Sequence, residues 1–547
     1  MQYVNFNSMK FKLFNLAIFL LIVLNQANAS NCANPTASIN LEINNVRAKL
    51  LNGGDMFWDI FGAGMPGYEI PKVTSGERSI HSSFTASLML GGIDVGNNLY
   101  TAGQTYRQRG LDFWPGALNA MGQIDSIDCD DWNEMFNITG KEINDAKSGK
   151  GISYNMSRWP SSHAPFYDAN SDGIYDPSLG DYPVLDLNNI NTIPGQMVYW
   201  VINDMGGPHT AYTGGNPMGV EIQNFAYAFS SSTSDAINNT TMYRYIITNK
   251  SNTTFTEFRI GNYNDFEIGG ADDDYIGCDL SVGPNNRKRN LFYAYNADND
   301  DEDMGGLGYG NSPPAFGITY LNPGKTSNNP NVEIGSFILI YKGGLSGSTG
   351  FPTNATELYR YLKGRWADNL PIMYGLNGRN GTDSCLYMFP GNTDPLGRPN
   401  WVETDVPGDR RAISAVKSVH LAPGEKVVTD FAYVWARDTF GNNLSSVEKL
   451  KLSTDTVQTA YQNFYSNYST GVIQVKAEKI IIYPNPANDI LCISGIQTIQ
   501  KIKIYNSQAK LVREIIMPIE RKINIANLPS GSYYIQINNN YSKFVKL

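Results

Sequence analysis

Charge is scarce in this chain. Only 17% of its 547 residues are Asp, Glu, Lys or Arg, while Tyr (33), Gly (52) and abundant Asn take their place. That composition disfavours long solvated helices and favours strands and turns. Histidine is scarcer still: His81, His163, His209 and His420 are scattered, and neither HExxH nor GxSxG occurs. Two common hydrolase signatures are therefore missing. Cysteine occurs five times, with no CxxC and no Cys/His grouping at zinc spacing.

Long apolar runs are also absent, with one exception. "LFNLAIFLLIVL" (Leu13 to Leu24) is a 12-residue apolar stretch behind Lys10 and Lys12, followed by the small-x-small triplet Ala27-Asn28-Ala29. It is too short to span a bilayer and has the layout of a secretory signal peptide over residues 1–29. The mature protein is then expected to be exported and soluble. Under oxidising conditions Cys32, Cys129, Cys278 and Cys385 form two disulfides in one of three connectivities, or else persist as buried thiols. Both readings stand at this point.

The charge that is present is unevenly placed. Removing a +2 lead and a +5 tail (residues 480–547) from a net −9 leaves −16 on the body. Such a body argues against nucleic acid or an anionic membrane as a partner and favours cations.

From Val198 onward, "MVYWVIND", "GVEIQNFAYAFSS", "TTMYRYIITNKS", "TEFRIGNYNDFEIGG", "GSFILIYKGG" and "KVVTDFAYVWARD" recur at even spacing between turn residues. Such strands predict an antiparallel β-sandwich body. Upstream, Ser83 to Leu90 reads as a buried strand. Cys129 to Gly149 predicts helical turns through Trp132, Met135, Phe136 and Ile143, with Thr139 capping before Glu142. Leu444 to Tyr468 predicts a helix with Val447, Leu450, Leu452, Val457, Ala460, Tyr461 and Phe464 near one face. The tail alternates in "KIKIYN", "KINIANL" and "SGSYYIQIN", placing Tyr533, Ile535 and Ile537 on one face of a small Ig-like β-sandwich. The fold class expected is mainly β, with a few helices. The organisation expected is a signal peptide (1–29), a Gly-rich β region with a calcium-type loop (30–197), a sandwich region ending in a helix (198–470), a linker (471–479) and the C-terminal domain (480–547).

"DANSDGIYDPSLGD" is the best local motif. Asp168, Asn170 and Asp172 stand at positions 1, 3 and 5 of a calcium loop, Gly173 allows the turn at 6, the Ile174 carbonyl serves at 7 and Asp176 stands at 9. Position 12 is Leu179, not the Glu of an EF-hand. The motif resembles the DxNxDGxxD loops of thrombospondin type 3 and dockerin sequences, with Asp181 as a late ligand. Structural calcium is the cofactor expected; the plain alternative is an Asx-rich solvated turn.

Two acidic runs follow. One holds Asp265, Glu267, Asp272, Asp273, Asp274 and Asp279; the other holds Asp298, Asp300, Asp301, Glu302 and Asp303. Each reads either as a divalent-cation site or as a solvated loop. Asp265 and Glu267 share a strand face without the spacing that identifies a glycosidase pair, so no catalytic residue is assigned. Trp114, Trp132, Trp159, Trp200 and Trp366 are read as core rather than sugar platforms.

"YPNPANDIL" (Tyr483 to Leu491), "KIKIYNSQAKLV" (Lys501 to Val512), "LPSGSYYIQI" (Leu528 to Ile537) and the basic terminus "SKFVKL" occur in that order at the extreme C-terminus. This tail resembles the type A C-terminal sorting domain of the type IX secretion system of Bacteroidota, although Gln508-Ala509 stands where a Gly is usual. The resemblance implies type IX machinery as a partner of residues 480–547, passage through the periplasm and outer membrane, and removal of the tail near its start. It also implies release of the body or its attachment to surface lipopolysaccharide. Through "YTAGQTYRQRGLDFWPG", "DGIYDPSLGDYP" and "DDDYIGCD", the body is similar to an uncharacterised group of exported Bacteroidota proteins, which implies no activity. The function expected is an exported, calcium-binding surface or secreted protein acting in adhesion on a glycan or protein ligand. The alternative is a carbohydrate-active enzyme or glycan-binding module on the same tail.

Overall fold

The computed structural model describes residues 32–466 and 481–547, apart from 63, 74–75, 77, 212–213, 303–306, 342–346, 495–500, 508–509, 517–521 and 538–539. The expected signal peptide, the linker, Asp303 and Gln508-Ala509 lie outside the described residues. The chain divides into two compact units, Met1–Ser466 and Asn467–Leu547.

The first unit is mainly β and antiparallel. Its ten-stranded sheet centres on Ser83–Asp94, Phe255–Phe266, Arg410–Val416 and Ile334–Ile340; its nine-stranded sheet runs through Asp274–Asp279, Leu291–Asn296, Ala315–Lys325, Lys426–Ala436, Thr240–Asn249, Val220–Ala228 and Gln196–Asn203. The first core lies between them, with Leu88, Leu90, Ile260, Tyr263 and Ile413 from one sheet against Trp200, Ile222, Tyr243, Phe316 and Tyr433 from the other. Early strands Ser38–Leu41, Arg47–Leu51 and Ser83–Asp94 enter the same sheet as late ones.

The Gln196–Asn203 strand shows why its sequence is apolar without alternation. Val198, Trp200 and Ile202 face the first core, while Met197, Tyr199 and Val201 face a second. A strand covered on both faces loses the in–out rhythm of a half-exposed one. The second core is roofed by the Asn443–Ser466 helix through Val447, Leu450, Val457 and Tyr461. Leu452, expected on that face, is 64% exposed.

Thr139 caps the Gly140–Lys147 helix in a full capping box with Glu142. The preceding stretch departs from expectation. Asp125 caps a short helix at Ser126–Asp131, and Phe136–Thr139 is then drawn into strand pairing with Gln196–Tyr199. Cross-strand burial outweighs local helical tendency there. Trp114, Trp159, Trp200 and Trp366 are buried, as core aromatics should be. Cys32 and Cys129 form a disulfide, while Cys278 and Cys385 are buried free thiols. The two-disulfide reading is thus corrected, since one bridge forms and the other two body cysteines remain reduced. Among the described residues no helix is long and apolar enough to cross a membrane.

The second unit packs a three-stranded sheet (Ile481–Tyr483, Ile490–Ser494, Lys522–Asn524) and a four-stranded sheet (Leu511–Ile516, Lys501–Asn506, Gly531–Ile537, Asn540–Lys546). Its own core contains Leu491, Ile493, Ile502, Ile504, Ile523 and Phe544, together with the expected face Tyr533, Ile535 and Ile537.

Candidate functional site

The Asp168–Asp181 loop is carried by a two-stranded ribbon in which Phe166 pairs with Pro183 and Tyr167 with Tyr182. No helix of EF-hand type flanks it among the described residues. Ser171 (φ 62°) and Gly173 (φ 78°) turn the chain through left-handed conformations. Asp168 accepts the Ser171 and Gly173 N–H groups at 2.6 and 2.9 Å, and Asp172 accepts that of Ile174 at 2.8 Å. Asn170 and Asp172 touch through an amide–carboxylate bond of 2.9 Å. Asp176 lies further round and caps Pro177–Leu179, where its bonds from Ser178 hold its carboxyl below the usual range. Asp181 is buried and closes the loop, with one oxygen accepting the Ala169 N–H and the other the Asp176 N–H, both at 2.8 Å. Asp168, Asn170 and Asp172 thus share one turn, while Asp176 and Asp181 form its base. The Ile174 side chain points to solvent, 68% exposed.

The two acidic runs separate into three kinds of carboxylate. Asp265 and Asp279 are neutralised: Arg411 Nε lies 3.2 Å from Asp265, and Arg289 lies 3.3 Å from Asp279. Tyr106 also donates to Asp265. Asp272, Asp298 and Asp300 are exposed. Asp273, Asp274 and Asp301 act on one another electrostatically, and the exposed Glu302 bears on Asp273 and Asp301. Burial leads in pushing Asp273 up to about 7 and Asp301 up to about 6, with neighbouring carboxylates adding to it. Burial also raises Asp274 well above the usual carboxylate range. Among the described residues, no three His, Cys, Asp or Glu side chains stand together at spacing that holds a metal ion.

A feature not picked out from the sequence is an open cleft of about 670 Å³ lined by Arg287, Lys288, Asn322, Glu333, Tyr387 and Lys417, among others. Glu333 bridges Lys417 at 2.6 Å and Lys288 at 3.5 Å, and the Lys417 bond holds its carboxyl below the ordinary range. Three cations against one acid reverse the sign of the body around them. Tyr387 donates to the Ile334 carbonyl at 2.9 Å, and burial pushes its hydroxyl up to about 12. The local signal was the run Arg287-Lys288-Arg289 in an acidic body, but the other walls come from distant segments.

In the C-terminal unit, the Tyr483-Pro484 and Asn485-Pro486 peptides are both cis, and the first strand stops at Tyr483. Asn485 bonds the main chain at Lys543 and Val545. Residues 481–547 match the family model described as a secretion system C-terminal sorting domain. The tail is a type IX sorting domain. It directs the chain out of the cell, to the surface or beyond. Among solved structures, a polysaccharide lyase is similar at 9% identity over 60% of this chain and 34% of that one, with a TM-score of 0.18. The chain therefore spans about a third of that lyase's length. PorZ, a surface component of the type IX secretion system of Porphyromonas gingivalis, is similar at 10% identity over 92% of this chain and 74% of that one, with a TM-score of 0.12. At these values neither likeness bears on the body's fold or activity. No curated protein matches the chain.

Proposed function

We propose that the protein is a type IX cargo whose body is a binding protein for acidic glycans at or outside the cell surface. A signal peptide over residues 1–29 delivers it to the periplasm, and the sorting domain engages the secretion machinery. The body is then released or attached to lipopolysaccharide. The cleft carries the binding reading. Its volume suits a few sugar rings, and Arg287, Lys288 and Lys417 offer positive charge to carboxylate or sulfate groups beside the amides of Asn290, Asn322 and Asn331. Tyr387 is held protonated and committed to a main-chain carbonyl, which suits a wall of the cleft rather than a base. Calcium in the 168–181 loop, held by Asp168, Asn170, Asp172, the Ile174 carbonyl, Asp176 and Asp181, fixes the outer part of the body; carboxylates engaged by N–H groups retain lone pairs for a cation.

A glycan array probed with the full chain tests the reading. Retention of uronate- or sulfate-bearing glycans that is lost in Lys288→Ala/Lys417→Ala supports it. Neutral-glycan binding alone, or acidic binding indifferent to the double variant, contradicts it. Both lysines are more than half exposed, so the variant keeps its fold.

A further inference from the structure

The two acidic runs are brought together by the hairpin of Asp274–Asp279 with Leu291–Asn296. In its register Asp274 faces Asn296 directly, and both residues are fully buried. Asp274 uses one oxygen to accept the Ile268 N–H at 3.0 Å. Its other oxygen has no hydrogen-bond partner, nor has Asn296 Oδ1, nor either carboxylate oxygen of Asp273. The Asn296 amide acts on the Asp273 carboxylate as a donor that lowers it against the effect of burial, without making a well-formed hydrogen bond. The chain then returns through Asp301, which accepts the Gly270 and Tyr309 N–H groups. Around the point that a Cβ on Gly270 would occupy stand Asp301 Oδ1 at 3.1 Å, the Glu302 carbonyl at 3.4 Å and Asp273 Oδ1 at 3.9 Å.

All four unpartnered atoms are acceptors, and leaving each one buried and unpaired costs about 1–3 kcal/mol. Arg437, whose charge bears on Asp301, directs its N–H groups to the Tyr309, Asn311 and Ser312 carbonyls instead. An assembly of carboxylate, amide and main-chain oxygens in which acceptors outnumber the N–H groups that reach them is the chemistry of a hard cation. Calcium accepts such mixed sets in flexible geometry, whereas magnesium demands a near-ideal octahedron.

We propose that Asp273, Asp274, Asn296 Oδ1 and the Glu302 carbonyl form a second calcium site, with Asp301 supplying further negative charge beside it. Two carboxylates joined by an amide and a main-chain oxygen need no trio of acidic ligands, in keeping with the absence of one among the described residues. The site is independent of the 168–181 loop.

The test is equilibrium dialysis of the metal-free full chain against calcium, using Asp172→Asn to disable the loop. The loop variant is expected to retain one bound calcium. Asp273→Asn in that background abolishes it, while the metal-free melting temperature stays equal to or above that of the loop variant, because repulsion is relieved. Gly270→Ala keeps every ligand but puts a methyl group in the cradle, and weakens binding roughly tenfold or more. Its melting profile reports folding independently should Asp273→Asn fail to fold. A loop variant that binds no calcium, or calcium binding unchanged by Asp273→Asn and Gly270→Ala, overturns the proposal. Undiminished stoichiometry in Asp172→Asn alone, with loss in Asp273→Asn, instead sinks the loop reading and leaves this site standing.

Discussion

Asn485 holds Val545: its Oδ1 accepts the Val545 N–H at 2.9 Å, while its Nδ2 donates to the Lys543 carbonyl at 3.0 Å. Ala487 extends the contact, donating to Val545 O at 2.8 Å and accepting from Leu547 N–H at 2.9 Å. The opening motif of the sorting domain and its last residues are thus one structural element. Asn485→Ala orphans the Val545 N–H, weakening the tail by about 1 kcal/mol. Cell fractionation in a host with type IX secretion is expected to show less exported protein and more in the periplasm.

Asp181 closes the 168–181 loop with both carboxylate oxygens. Asp181→Ala leaves two N–H groups without partners, at about 1–3 kcal/mol each. Limited proteolysis is expected to nick the variant within the loop, where the wild type resists. Chelation lowers the melting temperature of the wild type; no shift on chelation contradicts structural calcium.

The free thiols of the body, Cys278 and Cys385, are expected to be inert in the native state. Burial pushes Cys385 up to about 12 and raises Cys278 well above the usual thiol range. The thiolate is the reactive form, so at pH 8 neither cysteine is alkylated by iodoacetamide until denaturant is added. Peptide mapping before and after unfolding reads this directly.

Arg411 sits between two carboxylates, 3.2 Å from Asp265 and 2.7 Å from Asp409, with Tyr106 O–H accepting from its Nε at 2.9 Å. Arg411→Met leaves a buried charge uncompensated and is expected to cost about 3–5 kcal/mol. Urea unfolding measures the loss, and Arg411→Met/Asp265→Leu is expected to recover part of it.

Strands were legible where composition alone decides them. Ser83 to Leu90 is small and apolar because both its faces are covered, and the tail alternates because only one face of each strand is. The Thr139–Glu142 capping box is a contiguous local device and was equally plain. Phe136 departs from the helical expectation because its state is set by pairing with Tyr199, more than sixty residues away. The calcium-type loop could be spelled out because its oxygens are consecutive in the chain. The Asp273–Asn296–Glu302 cluster could not, because a hairpin register assembles it and Asn296 carries no acidic signal. The cleft was hidden for the same reason, since Lys288, Glu333, Tyr387 and Lys417 meet only when separate segments converge.

The most direct test of the account is fractionation of cells producing the full chain beside one ending at Ile480, both with residues 1–29 intact. The full chain is predicted at the surface or in the medium, and the shortened chain in the periplasm, folded and protease-resistant. Equal export of a folded shortened chain would contradict the claim that residues 481–547 direct the protein out of the cell.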